Sequence, residues 1–101
     1  ITLRTGKSVS GASGIITIQT GDSSGGKGGD INIAVGRSTG DSGGNILLFA
    51  GNSTADSSST GGHITLRSGT SVTRASGSVI VMTADSGEKG SSGRLHIASG
   101  C

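Results

Sequence analysis

The sequence contains no proline, tryptophan or tyrosine, one aromatic residue, Phe49, and one cysteine, Cys101. Apolar residues make up 30% of the 101 positions, whereas an ordinary globular domain has about 45–50%. No apolar run approaches the roughly 18 residues that a membrane-spanning helix needs. These absences argue against a membrane span and against a two-layer globular core.

Charged residues are few and scattered, with 8 basic and 6 acidic side chains and a net charge of +2. Nucleic-acid sites need clustered basic residues with aromatic side chains for base stacking, so we expect no nucleic-acid partner. The two histidines, His63 and His96, are far apart and form no metal-ligand spacing. The G-D-S-G-G of residues 40–44 matches five residues around the nucleophile of trypsin-like proteases, but both histidines follow Ser42. We therefore expect no enzyme, no cofactor and no metal.

Glycine, serine and threonine together account for 51 residues, and they are arranged in a repeat. Seven short apolar segments begin at intervals of 15, 15, 15, 18, 15 and 16 residues. These segments are 1–3, 16–18, 31–33, 46–48, 64–66, 79–81 and 95–97. A disordered linker has no reason to keep such a register, so the repeat favours an ordered architecture.

Small residues recur at fixed places around each apolar segment. Position five of the repeat is mostly a small residue: Thr5, Thr20, Val35, Ala50, Ser68, Thr83 and Ser99. A corner glycine follows at Gly6, Gly21, Gly36, Gly51, Gly69 and Gly100, with Ala84 as the exception. A corner serine comes two residues later, at Ser8, Ser23, Ser38, Ser53, Ser71 and Ser86. A pre-segment glycine stands two residues before each new segment, at Gly14, Gly29, Gly44, Gly62, Gly77 and Gly93.

This pattern predicts an all-β protein. The apolar segments alternate with period two, which is typical of strands, and positions one, three and five are expected to face inward. Both glycines are expected to supply turns with unusual dihedral angles. Two corners in 15 residues predict a narrow β-solenoid, or parallel β-helix, of roughly six and a half two-faced coils. The corner serines would form a hydroxyl ladder or bond the backbone. An antiparallel meander is the alternative, although it needs loops of about nine residues.

A longer period is also visible. Residues 1–6 and 64–69 nearly match at an offset of 63 residues, which corresponds to four coils. We therefore expect residues 1–101 to form a single β-solenoid segment, a fragment of a longer repeat array with a four-coil super-repeat. Apolar coil edges at both ends would need covering by further repeats or other copies.

Five residues are candidates for contacts or modification. Asn52 begins the sequon Asn-Ser-Thr in the one 18-residue repeat, which predicts N-glycosylation. Cys101 is a candidate for an interchain disulfide. Ala34, Leu47 and Phe49 would lie together on outward strand positions and form an apolar contact patch.

The I-x-I-x-[ST]-G-x-S units resemble Gly/Ser-rich β-solenoid repeats of secreted and cell-surface fibrous proteins of algae, over nearly the whole chain. The resemblance implies an extracellular fibre, a flagellar hair or a wall component, with glycosylation. We therefore expect a structural repeat segment of an extracellular or cell-surface filament, assembled with other copies by coil stacking and lateral contacts. The alternative is a solenoid that binds ice, mineral or carbohydrate.

Overall fold

The computed structural model describes residues 1–55 and 58–101. Within these residues there is no helix and no β-strand; the backbone is extended or bent throughout. Only three backbone–backbone hydrogen bonds join described residues: Gly62 N to Gly51 O, Gly77 N to Gly69 O, and Gly90 N to Gly87 O. Because a β-solenoid requires a continuous ladder of such bonds between coils, the prediction of an all-β narrow β-solenoid is wrong.

The cause is the small amount of apolar surface in each repeat. Every Ile, Leu, Val, Met and Phe of the chain is at least 46% exposed. The chain exposes 10442 Å², whereas two separate compact units of half its mass would together expose only about 6,200 Å². Three-residue apolar segments between long glycine-rich stretches bury too little to offset the conformational entropy of strand pairing. The prediction that positions one and three face inward is therefore also wrong.

The chain divides into two units, Ile1–Leu47 and Leu48–Cys101. Each unit contains three loops that run from a position-five residue to the next pre-segment glycine. The loops of the first unit are 5–14, 20–29 and 35–44, and those of the second are 50–62, 68–77 and 83–93. Their ends approach each other, as in Ω-loops, so the 15-residue period of the sequence is present in the structure as a period of loops.

The corner serines hold the bends of these loops. In four repeats the serine Oγ accepts a hydrogen bond from the backbone N–H three residues ahead. These bonds are Gly11 N to Ser8 at 3.2 Å, Gly26 N to Ser23 at 3.2 Å, Asp41 N to Ser38 at 3.2 Å and Arg74 N to Ser71 at 3.0 Å. Ser53 Oγ accepts from Ala55 N at 3.4 Å, and Ser86 Oγ donates to Gly90 O at 2.8 Å. Of the two roles expected for these serines, the structure shows the backbone bond.

The pre-segment glycines close the base of each loop. We call the position-five residue and the pre-segment glycine together the loop base. A methyl group on Gly44 would lie 2.8 Å from Val35 Cγ1, and one on Gly14 would lie 3.0 Å from Thr5 Cγ2. At the other four pre-segment glycines, the added methyl would lie between 3.2 and 3.9 Å from the position-five side chain. In the second loop Thr20 Oγ1 also donates to Gly29 O at 3.2 Å.

Four pre-segment glycines, Gly14, Gly29, Gly44 and Gly62, are therefore needed for space and not for their backbone angles. No described glycine has a positive φ, so the expectation of unusual dihedral angles at the corners is wrong. A methyl group on any corner glycine would meet nothing within 4 Å. Among the described residues, only Thr5, Ala50 and Ser68 are half-buried, and all three belong to loop bases.

Candidate functional site

The residues predicted as an apolar contact patch are all exposed. Ala34 and Leu47 belong to the first unit, and Leu47 is 70% exposed. Phe49 belongs to the second unit and is 84% exposed. They are part of a larger set, because the apolar segments of both units are exposed along their whole length. The candidate contact surface is therefore repeated along the chain and is not confined to these three residues.

The predicted glycosylation site lies at the start of the fourth loop. Asn52 is exposed and directly follows Gly51, whose carbonyl oxygen accepts the 2.9 Å hydrogen bond from Gly62 N. The next residue of the sequon, Ser53, accepts a hydrogen bond from Ala55 N. The sequon is thus an accessible segment on a loop whose base is closed by a backbone hydrogen bond. N-glycosylation at Asn52 stays a prediction.

Cys101 has an exposed, free thiol. The Cys101 sulfur is already accessible, so a disulfide to another chain would need no rearrangement of this chain. The interchain bridge stays a prediction, because a single chain offers no partner thiol.

Ionisable side chains of the described residues make one ion pair. Lys27 Nζ lies 2.9 Å from Asp30 Oδ2, and both side chains are largely exposed. Residues 25–33 match the glycine- and aspartate-containing unit of calcium-binding β-rolls, but the Asp30 carboxylate bonds a lysine here. Among described residues, no group of three or more His, Cys, Asp or Glu side chains comes together.

An open polar cleft that the composition did not reveal lies against the first loop. It has a volume of about 650 Å³ and is lined by Arg4, Thr5, Gly6, Lys7, Ser8, Gly11 and Ser13. Two of these residues are cationic and three carry hydroxyl groups, whereas none is acidic. A signal was present in the sequence, since no acidic residue occurs before Asp22. The net charge of the whole chain does not show this local excess of positive over negative side chains.

Comparisons with protein-family models, curated proteins and solved structures found no match to this chain. The described residues also contain no helix long and apolar enough to cross a membrane. The case for a function therefore depends on the chain's own residues.

Proposed function

We propose that the chain is a structural repeat segment of an extracellular filament or cell-surface fibre, in which the apolar segments of one copy pack against those of other copies. One observation carries this proposal: every large apolar side chain is at least 46% exposed, and these side chains recur mostly at intervals of 15 residues. The described residues contain no stacked coils, so assembly is attributed to contacts between chains.

Another copy is the partner whose spacing fits best. Two aligned copies place one apolar segment opposite another at every repeat, because their intervals are identical. Burying an exposed Ile, Leu or Val contributes about 1.5–3 kcal/mol, and the gain recurs with each additional repeat. Contacts that are weak singly therefore become strong along a long array.

The loops suit the outer surface of such a fibre. They carry most of the serine, threonine and glycine, and their ends are closed within one chain. Asn52 lies exposed on one loop, where a glycan would leave the apolar segments free for other copies. The sequon supports the extracellular location.

The first experiment measures self-association of the chain by sedimentation velocity over a range of concentrations. We expect large species to form above a threshold concentration, with filaments visible by electron microscopy. Phe49→Asp is expected to raise the threshold, whereas Phe49→Leu keeps the side chain apolar and serves as the matched control. A chain that stays monomeric up to millimolar concentration would contradict the proposal.

The location is tested on native material. Enzymatic removal of N-glycans converts a glycosylated asparagine to aspartate, which mass spectrometry of the peptide containing Asn52 detects. We expect that conversion at Asn52 and not at Asn45, which lies outside any sequon. An unmodified Asn52 in all of the native material would remove this support for an extracellular site.

A further inference from the structure

We propose that the cleft of the first loop binds the sulfate or carboxylate groups of an anionic polysaccharide. This inference goes beyond the proposed function and does not depend on self-association. It rests on the cleft's volume, its lining residues and the distribution of charge among the six loops.

The charges of the cleft are unpaired. Arg4 and Lys7 both line it, and the only ion pair among the described residues joins Lys27 and Asp30 in the next loop. Arginine presents a planar fork of N–H donors that matches a sulfate or carboxylate, and lysine adds a second compact charge. With no acidic residue before Asp22, an incoming anion meets no carboxylate of the first repeat.

The hydroxyl groups add donors for a sugar ring. Ser8 Oγ already accepts the hydrogen bond from Gly11 N, so its own proton remains to be donated. Thr5 and Ser13 also line the cleft. The cleft has a volume of about 650 Å³ and is open to solvent, so a longer polymer can enter it and leave again. This combination of two cations and three hydroxyls suits one or two charged sugar residues.

A second loop without acidic residues lies at the 63-residue offset, where Arg67 takes the place of Arg4 but Thr70 takes the place of Lys7. Residues 67–77 contain Arg67 and Arg74, and no acidic residue occurs between Asp56 and Asp85. The other four loop repeats each contain at least one acidic residue. Cationic loops at one long interval would let a single polymer engage the chain at two places, which favours a polymeric ligand over a small ion.

A polysaccharide fits better than a nucleic acid. Binding of single-stranded nucleic acid depends on aromatic side chains that stack with the bases, and the only aromatic residue of the chain is Phe49, which does not line the cleft. In place of aromatic side chains, the cleft supplies hydroxyl groups that can donate hydrogen bonds to a sugar. Nucleic acid is therefore kept as an outcome of the test.

The test measures binding of the whole chain to dextran sulfate, polygalacturonate, uncharged dextran and single-stranded DNA at low salt and at physiological salt. Measurements are made below the concentration at which the chain self-associates. We expect binding to one or both charged polymers, with weaker binding at higher salt because ions screen exposed charges. Tighter binding to dextran sulfate would assign a sulfate ester, and tighter binding to polygalacturonate a carboxylate.

Variants locate the site. The double variant Arg4→Ser, Lys7→Ser should bind about fivefold more weakly or worse, as expected from the loss of two exposed charge pairs. The control Lys27→Ser, Arg37→Ser removes the same number of charges from loops that contain carboxylates, and its affinity should stay within about twofold of the native chain. Equal losses in both variants would overturn the proposal, since binding would then follow net charge alone.

A second variant adds a charge and leaves both cations in place. Gly11→Asp gives the first loop the residue that the third loop has at Asp41. Asp41 N bonds Ser38 Oγ at 3.2 Å, as Gly11 N bonds Ser8 Oγ, so the loop accommodates the change. We expect weaker binding with an unchanged circular dichroism spectrum. Unchanged binding, binding to uncharged dextran, or tighter binding to single-stranded DNA than to both charged polysaccharides would each overturn the proposal.

Discussion

The loops and the apolar segments of this chain differ in the contacts that stabilise them within one chain. Each loop is closed within one chain by a glycine against a small side chain, and by a serine bonded to the backbone in its bend. The apolar segments have no such partners, and their side chains lie exposed. The difference teaches that local order here comes from polar turn chemistry, whereas the exposed apolar side chains contribute little to it within one chain.

The largest effect is expected from charging one apolar segment. Ile16→Asp combined with Ile18→Asp should abolish or strongly weaken self-association, because each buried isoleucine is worth about 1.5–3 kcal/mol. That range corresponds to roughly a tenfold to hundredfold higher threshold concentration for each residue. Sedimentation velocity measures the threshold.

The control places the same charges within and directly after the same segment. Thr17→Asp combined with Gln19→Asp changes side chains that are already polar, so its threshold should rise much less. Loop order should be unchanged in both variants, as reported by the amide of Gly26, which bonds Ser23. If the two variants shifted the threshold equally, charge repulsion and not lost apolar contact would explain the effect.

The repeat could be predicted from the sequence, but the positions of its turns and the way the repeats associate could not. The register predicted turns at the two glycines of each repeat, whereas the bends of the structure follow five of the corner serines. The strands were inferred from alternation within segments of three residues, and the solenoid from two corners in each 15-residue repeat. Alternation says which side chains share a face, but it does not say whether enough surface is buried to form a sheet.

The next effect in size concerns the two glycines of one repeat. Gly44→Ala should open the third loop base, because the new methyl would lie 2.8 Å from Val35 Cγ1 and one of the two groups would have to move. Gly36→Ala in the same loop meets nothing within 4 Å, so it should leave the base closed. The nuclear Overhauser effect between the Val35 methyls and residue 44 reports the closure.

This pair of variants separates two roles of glycine that a sequence does not distinguish. Both positions are glycine in the repeat, yet a side chain would crowd only one of them. Loss of the Val35 signal in Gly36→Ala, or its survival in Gly44→Ala, would show that the loop base is closed in a different way. The candidate cleft likewise could be predicted only in part. The sequence shows its charge, but which residues line it depends on how the loop closes.

A smaller effect is expected at the corner serines. Ser71→Ala removes the acceptor for Arg74 N, which lies 3.0 Å from Ser71 Oγ. A single hydrogen bond contributes about 0.5–1.5 kcal/mol, so hydrogen exchange of the Arg74 amide should accelerate about twofold to tenfold. Ser76→Ala, in the same loop, is the control and should leave that amide unchanged. Equal acceleration in both variants would rule out the specific bond.

The smallest effect is expected at the ion pair of the second loop. Asp30→Asn should change the stability of this loop by at most about 1 kcal/mol, because Lys27 and Asp30 are both largely exposed and water screens their attraction. Hydrogen exchange of the Gly26 amide, measured at low and at high salt, should differ little between variant and native chain, and the difference should vanish at high salt. The loop base at Thr20 and Gly29 does not involve either charge, so its 3.2 Å hydrogen bond should persist. If Asp30→Asn opened the loop base, the loops would depend on charge pairing as well as on their glycines and serines. The contrast between closed polar loops and exposed apolar segments would then no longer hold.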